Sequence, residues 1–173
     1  MLKRAGAESS EVRRPIHLDN VDALIIPGGE STTIGKLLEQ YELMEPIRAR
    51  ARAGMPLWGT CAGLILMATD VGRDQPLLGL LDITVERNAF GRQLNSFETD
   101  VQIDGVADGP MHAIFIRAPI VRAVRDGVTP IGRLDDGAIV AVRREHLVGT
   151  AFHPELGEDP RLHAWFAAMA KAA

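Results

Sequence analysis

Cys61 is the single cysteine among 173 residues, and it stands between Gly59 and Gly63 in the stretch PLWGTCAGLIL. A glycine two residues before and another two residues after a nucleophile is the spacing of a nucleophile elbow, where a strand turns abruptly into a helix and presents one side chain at the apex. The glycines serve sterics, because side chains at those positions would collide where strand and helix close around the strained apex. The apex also lies at the amino end of the following helix. Its dipole and free N–H groups favour an anion such as a thiolate there. The N–H of Ala62 would face a developing oxyanion, as the residue after the nucleophile does in this geometry. A lone cysteine is otherwise a small core hydrophobe. Here the apolar strand before it, the apolar helix after it and both glycines favour the chemical reading.

A nucleophilic thiol needs a base, and the sequence offers five histidines: His17, His112, His146, His153 and His163. His163 sits beside the apolar stripe of a carboxyl-terminal helix and His17 in an early polar segment, so both are expected at the surface. His112 and His146 flank strands with no evident partner. His153 differs, because it closes the strand-like run HLVGTAF and is followed by Pro154 and Glu155. In an extended chain His153 and Glu155 project to the same side. The carboxylate can then orient the imidazole and stabilise its charged form, the third role in a triad. Without an elbow elsewhere, His-Pro-Glu would read only as a turn after a strand.

The elements that must position these groups follow from periodicity. Residues 21–26 (VDALII) read as a buried strand ended by Pro27, Gly28 and Gly29. Ile34, Leu37, Leu38 and Tyr41 then mark one face of a helix, with Ser31, Thr32 or Thr33 to cap it. A second helical piece around Pro46 leads to Gly54, a buried strand at residues 55–58, and the helix after Cys61. From Leu80 onward the pattern changes to short alternating strands, with Asp135, Asp136 and Gly137 as a hairpin turn. A final helix after Pro160 buries Leu162, Trp165, Phe166 and Met169. This order predicts an α/β fold: a three-layer, doubly wound, mostly parallel sheet with helices on both faces, plus a small antiparallel strand layer. Sites in such sheets form at the carboxyl ends of strands, which is where Gly28, Gly29 and Cys61 fall.

Composition bounds the function. The length fits a single domain, and 46% hydrophobic residues suffice for a real core. A net charge of -4 gives no basic field for nucleic acid or an anionic membrane. One cysteine excludes an internal disulfide and any multi-cysteine zinc site, which suits a cytoplasmic protein. No targeting signal or membrane-spanning run is present. A phosphate-binding loop at Gly35 and Lys36 also fails, since Glu30 stands where its first glycine should be and Leu37 where Ser or Thr should be.

Taken together, PGGES, GTCAGL and FHPE, in this order and at these separations, resemble the class I, triad-type glutamine amidotransferases. LIIPGGESTTIGKLL, PLWGTCAGLILMA, VERNAFGRQLNSFE, IFIRAP and TAFHPEL are more specifically similar to the glutaminase-subunit family of pyridoxal 5'-phosphate synthases. The resemblance implies a flavodoxin-like, class I glutaminase fold. It implies that Cys61 attacks the side-chain amide of L-glutamine, that His153 protonates departing ammonia and then activates water, and that Glu155 orients His153. Gly28, Gly29 and Glu30 correspond to the family's glutamine-binding and oxyanion loop, with Gly29 and Ala62 as the oxyanion donors. Arg87, Ile116 and Arg117 match its other substrate-contacting positions, and two arginines suit the α-carboxylate of an amino acid. The implied partner is the synthase's lyase subunit, in an assembly of twelve copies of each, which makes pyridoxal 5'-phosphate from ribose 5-phosphate and glyceraldehyde 3-phosphate. No metal or organic cofactor is implied.

One departure stands out. The family opens with an apolar strand and a Leu-Gln-Gly turn, and by ordinary βα lengths about 15 to 20 such residues are lacking ahead of Met1. The resemblance therefore predicts an amino-terminally shortened domain without the family's first strand. Three rival readings remain at this stage: a catalytically impaired subunit that only binds the synthase, an amidotransferase subunit for another synthase, and a redox-sensing cysteine protein. A sensor would have no need of His153, Pro154 and Glu155.

Overall fold

A computed structural model describes residues 1–87 and 96–172. The VERNAFGRQ segment beyond Arg87 lies outside the described residues. After a 3-10 turn at Pro15–Asn20, the chain forms β1 (Leu24–Ile26), α1 (Ser31–Gln40), α2 (Met44–Arg52), β2 (Leu57–Thr60) and α3 (Ala62–Met67). There follow β3 (Ala68–Asp70), β4 (Leu81–Glu86), β5 (Ser96–Val101), β6 (Met111–Ile116), β7 (Ile120–Val124), β8 (Thr129–Arg133), β9 (Ile139–Arg144) and β10 (Leu147–Thr150). The last described element is α4 (Arg161–Ala172).

The main sheet runs in the order β1, β2, β10, β9, β7, β4, β3, with β8 also paired to β9. Parallel pairing holds where the alternation of strands and helices foretold it, in β1 with β2, and also joins β2 with β10 and β3 with β4. The sheet as a whole is mixed, because β7, β8 and β9 join it through antiparallel pairings. The short strands of the second half are thus mostly part of the same sheet, closed by tight turns such as Asp135, Asp136 and Gly137. Among the described residues, only β5 and β6 form a separate antiparallel layer.

Helices cover both faces. In register, Gly59 of β2 lies beside Gly149 of β10, and a Cβ on either would strike α3, at Gly63 and Leu64 respectively. The alternate side chains, Trp58 and Thr150, turn to the opposite face, where Trp58 meets His163 and Phe166 of α4. Strands β2 and β10 are buried at every residue, so they form the centre of the sandwich. Each fully buried aliphatic or aromatic side chain there, such as Leu57, Leu64 or Phe152, contributes roughly 1.5–3 kcal/mol.

Three local expectations change. Helix α1 is capped by Glu30, whose side chain accepts from Thr33 N–H at 2.7 Å, rather than by Ser31, Thr32 or Thr33. His163 is buried, at 5% exposure, not at the surface. Its position next to Leu162 places it at the edge of the helix's apolar face, and the broad indole of Trp58 widens that face enough to cover it. His112 and His146 also have partners: His112 meets Glu98 at 2.8 Å and Asp100 at 3.4 Å, and His146 meets the Ala51 carbonyl at 2.7 Å.

Candidate active site

The turn from β2 into α3 holds Cys61 at φ 48° and ψ -100°. For a residue with a Cβ this is a sparsely populated conformation costing about 1–3 kcal/mol, so its surroundings must enforce it. They do so through the backbone. Cys61 N–H donates to the Thr150 carbonyl at 2.8 Å, which ties the apex to β10. A Cβ on Gly59 would lie 2.4 Å from the carbonyl carbon of Gly63, and one on Gly63 would lie 2.1 Å from the carbonyl oxygen of Ile26. Only glycine permits β1, β2 and α3 to approach so closely. Cys61 itself is 7% exposed.

The base comes from the segment after β10. His153 and Glu155 pair as expected, with imidazole Nδ1 and carboxylate Oε1 2.8 Å apart. The geometry behind the pair differs from an extended strand. Strand β10 ends at Thr150, and Pro154–Leu156 forms a 3-10 turn, with Pro154 at a first helical position where its fixed φ and missing N–H cost nothing. The Cys61 side chain also acts on the His153 ring, so thiol, imidazole and carboxylate lie together. Together the Cys61 contact, first, and the Glu155 contact push the His153 pKa up to about 10, against the opposing effect of burial. Burial likewise opposes the charge on Glu155, but the His153 hydrogen bond holds its carboxyl below the usual range.

The glycine turn after β1 lies against these groups. A Cβ on Gly28 would be 2.4 Å from Cε1 of His153, so the ring rests on the bare backbone of Gly28. Gly29 follows at φ 146°, in the region that favours glycine. Glu30 then caps α1 and forms an ion pair with Arg87 at 2.9 Å. The Thr33 N–H is the largest of the influences that take the Glu30 carboxyl down to about 2. Arg87 is further held by Gln75 at 3.0 Å and Thr32 at 3.4 Å.

Ile116 ends β6 at the surface, and Arg117 follows it at φ 45°. Their strand is bonded to the base, since His153 N–H donates to the Ile114 carbonyl at 2.8 Å. Arg117 takes part in no side-chain hydrogen bond or ion pair among the described residues, so no polar contact joins it to Arg87. Among the described residues no group of His, Cys, Asp and Glu side chains is arranged to hold a metal ion. No described helix is long and apolar enough to cross a membrane.

Sequence reasoning missed several neighbours of the site. Behind the elbow, Trp58 Nε1–H donates to Thr150 Oγ1 at 3.1 Å, on the residue whose carbonyl fixes Cys61. His163 packs edge-on against Trp58 with centroids 5.0 Å apart, and burial lowers its pKa. Gln75 lies in an irregular loop with no periodicity to mark it.

The chain is similar to known proteins along nearly its whole length. The family described as the SNO glutamine amidotransferase family matches residues 1–172. Curated relatives include the pyridoxal 5'-phosphate synthase subunit PdxT of Roseiflexus sp. (strain RS-1), 55% identical over 172 residues, covering 98% of this chain and 91% of the relative. The subunit of the same name from Dehalococcoides mccartyi (strain CBDB1) is 51% identical over 175 residues, covering 99% of this chain and 89% of the relative. A crystal structure of a glutamine amidotransferase superposes with a TM-score of 0.93 at 48% identity, covering 98% of this chain and 90% of that one. A putative GMP synthase component from Thermoplasma acidophilum, 15% identical, shares the fold with a TM-score of 0.68 over 99% of this chain and 85% of its own. With its whole described length matched, the chain belongs to the SNO glutamine amidotransferase family.

Proposed function

We propose that this chain is the glutaminase subunit of a pyridoxal 5'-phosphate synthase, a single cytoplasmic domain that hydrolyses L-glutamine and passes the ammonia to a lyase-subunit partner. The observation that carries the reading is the hydrogen-bonded pair of His153 and Glu155 set beside Cys61 at a strained strand-to-helix turn.

Cys61 gives its thiol proton to His153, its Sγ attacks the side-chain carbonyl carbon of glutamine, and the N–H groups of Gly29 and Ala62 receive the oxyanion. The protonated His153, favoured by its raised pKa, donates its proton to the amide nitrogen. The C–N bond then breaks, ammonia leaves, and a glutamyl thioester remains. His153, now neutral, takes a proton from water as the water attacks the thioester; the C–S bond breaks and glutamate is released. Glu155 holds the ring in one orientation throughout and balances its charge. Gly28, Gly29 and Glu30 line the substrate, and Arg87, with Ile116 and Arg117, receives its amino-acid end. The chemistry uses only groups of this chain and calls for no metal or organic cofactor.

The relatives' name supports pyridoxal 5'-phosphate as the product of the whole assembly, in which ammonia joins ribose 5-phosphate and glyceraldehyde 3-phosphate on the partner. An assembly of twelve copies of each subunit follows the same resemblance. Glutamine hydrolysis measured with and without the synthase partner, for this chain and for Cys61→Ala, tests the reading. Glutamate should appear with the partner present and vanish in the variant; hydrolysis that survives Cys61→Ala would overturn it.

A further inference from the structure

The loop between β3 and β4 carries a residue with no role so far. Gln75 lies beside three of the groups that shape the substrate end of the site. Its Oε1 accepts from Arg87 Nη1 at 3.0 Å and from the hydroxyls of Ser31 and Thr32 at 3.4 Å, while its Nε2 donates to Ser31 Oγ at 3.4 Å. A guanidinium only donates, so the amide oxygen must face Arg87, which leaves the amide nitrogen toward Ser31. The side chain therefore has one orientation, set at the Arg87 end, since the Ser31 hydroxyl can both donate and accept.

The loop beneath it is firm. Arg48 donates to the carbonyls of Leu77 at 2.5 Å and Leu78 at 2.9 Å, and Leu78 N–H donates to the Leu66 carbonyl of α3 at 2.6 Å. On the other side Pro76 seats on α1 so closely that a Cβ on Gly35 would lie 2.9 Å from its carbonyl oxygen. Gln75 thus projects from a segment fixed to both α1 and α3.

We propose that Gln75 is a positioning residue that clamps the Arg87 guanidinium for the α-carboxylate of glutamine and so sets substrate affinity. Gln75 and Thr32 take donors from Nη1, and Glu30 takes one from Nη2. Among the described residues nothing accepts from Nε, so the clamp grips the guanidinium by its terminal nitrogens and leaves the Nε side to a carboxylate. A fork held in place loses less freedom when it binds, which raises affinity without touching the reacting amide. The proposal rests on the assignment of Arg87 to the substrate.

The test is steady-state glutamine hydrolysis in the assembled complex with Gln75→Ala, Gln75→Glu, Arg87→Ala and the Gln75→Ala/Arg87→Ala double variant, each also checked for its melting temperature. Gln75→Ala should raise KM about ten-fold, the effect of losing a hydrogen bond to a charged group, with kcat within about two-fold. Gln75→Glu keeps the length of the side chain and adds a charge that competes with the substrate for Arg87, so its KM should rise further. That variant reads the effect independently of any loss of packing in Gln75→Ala. In the Arg87→Ala background, Gln75→Ala should add nothing. A fall in kcat at constant KM, or full multiplication of the two single effects, overturns the proposal. If Arg87→Ala alone leaves KM unchanged, the assignment of Arg87 falls first, and the proposal falls with it for that separate reason.

Discussion

The elbow around Cys61 and the polar rim around Arg87 are built by opposite means. At the elbow, backbone approaches backbone: the positions a Cβ would take at Gly59 and Gly63 are already occupied by main-chain atoms. At the rim, side chains on half-exposed loops meet through hydrogen bonds and one ion pair of 2.7–3.4 Å. The elbow has no adjustable part, so an error there should be close to all-or-none. The rim shares its task among Glu30, Thr32, Gln75 and Arg87, so an error there should be graded and should appear in KM. Rigid scaffold thus holds the group that forms the covalent bond, and adaptable side chains hold the part of the substrate that does not react.

Changes can break that contrast. Removing the nucleophile is the largest: Cys61→Ala should lower kcat by at least about 10⁴-fold while the melting temperature stays within a few degrees, because alanine fits the same space. Gly63→Ala should come next, destabilising the fold by about 3 kcal/mol or more in urea unfolding, since the new methyl meets the Ile26 carbonyl. A well-folded, active Gly63→Ala protein would show that the elbow can give way after all.

Glu155→Gln should lower kcat by roughly 10²-fold, with KM changed little, because the imidazole loses its orienting charge. The same pair predicts a pH dependence of stability. The folded His153 pKa of about 10 lies above its ordinary value of 6.5, so the native state holds more protons between them. Its contribution is fully present below pH 6.5 and is lost as pH rises through about 10. Melting temperature recorded across that window should fall, and Glu155→Gln should flatten the fall; an unchanged slope would separate the raised pKa from the carboxylate. At the rim, Arg87→Ala should raise KM for glutamine roughly 50-fold and leave the melting temperature within a few degrees. Smallest is Trp58→Phe, which removes the bond to Thr150 Oγ1 and should cost about 1 kcal/mol in stability.

The contrast also explains what could be read in advance. The elbow was legible because steric exclusion leaves a mark in the residue types themselves: glycine at 59 and 63 has few other reasons to flank a cysteine after an apolar strand. His153 and Glu155 were legible as residue types two apart, although their pairing turned out to come from a 3-10 turn that Pro154 starts rather than from a strand. The rim was harder. A hydrogen bond such as that between Gln75 and Arg87 joins residues 12 apart through two irregular segments, and no periodicity records it. Glu30 was expected on the substrate, but its service as a helix cap was hidden by three better cap formers immediately after it. Strands β8, β9 and β10 were visible one by one, β7 was not, and their entry into the main sheet depends on pairings that alternation alone does not specify. His163 was misplaced because the stripe of α4 was drawn without Trp58, which belongs to another part of the chain.

One contact carries a consequence for how the site operates. With the imidazole of His153 resting on the peptide of Gly28, the main chain acts as a doorstop for the ring. The same turn leads on to Gly29 and Glu30, so the stretch of main chain that reaches the head of α1 is also the surface that limits where the imidazole can sit.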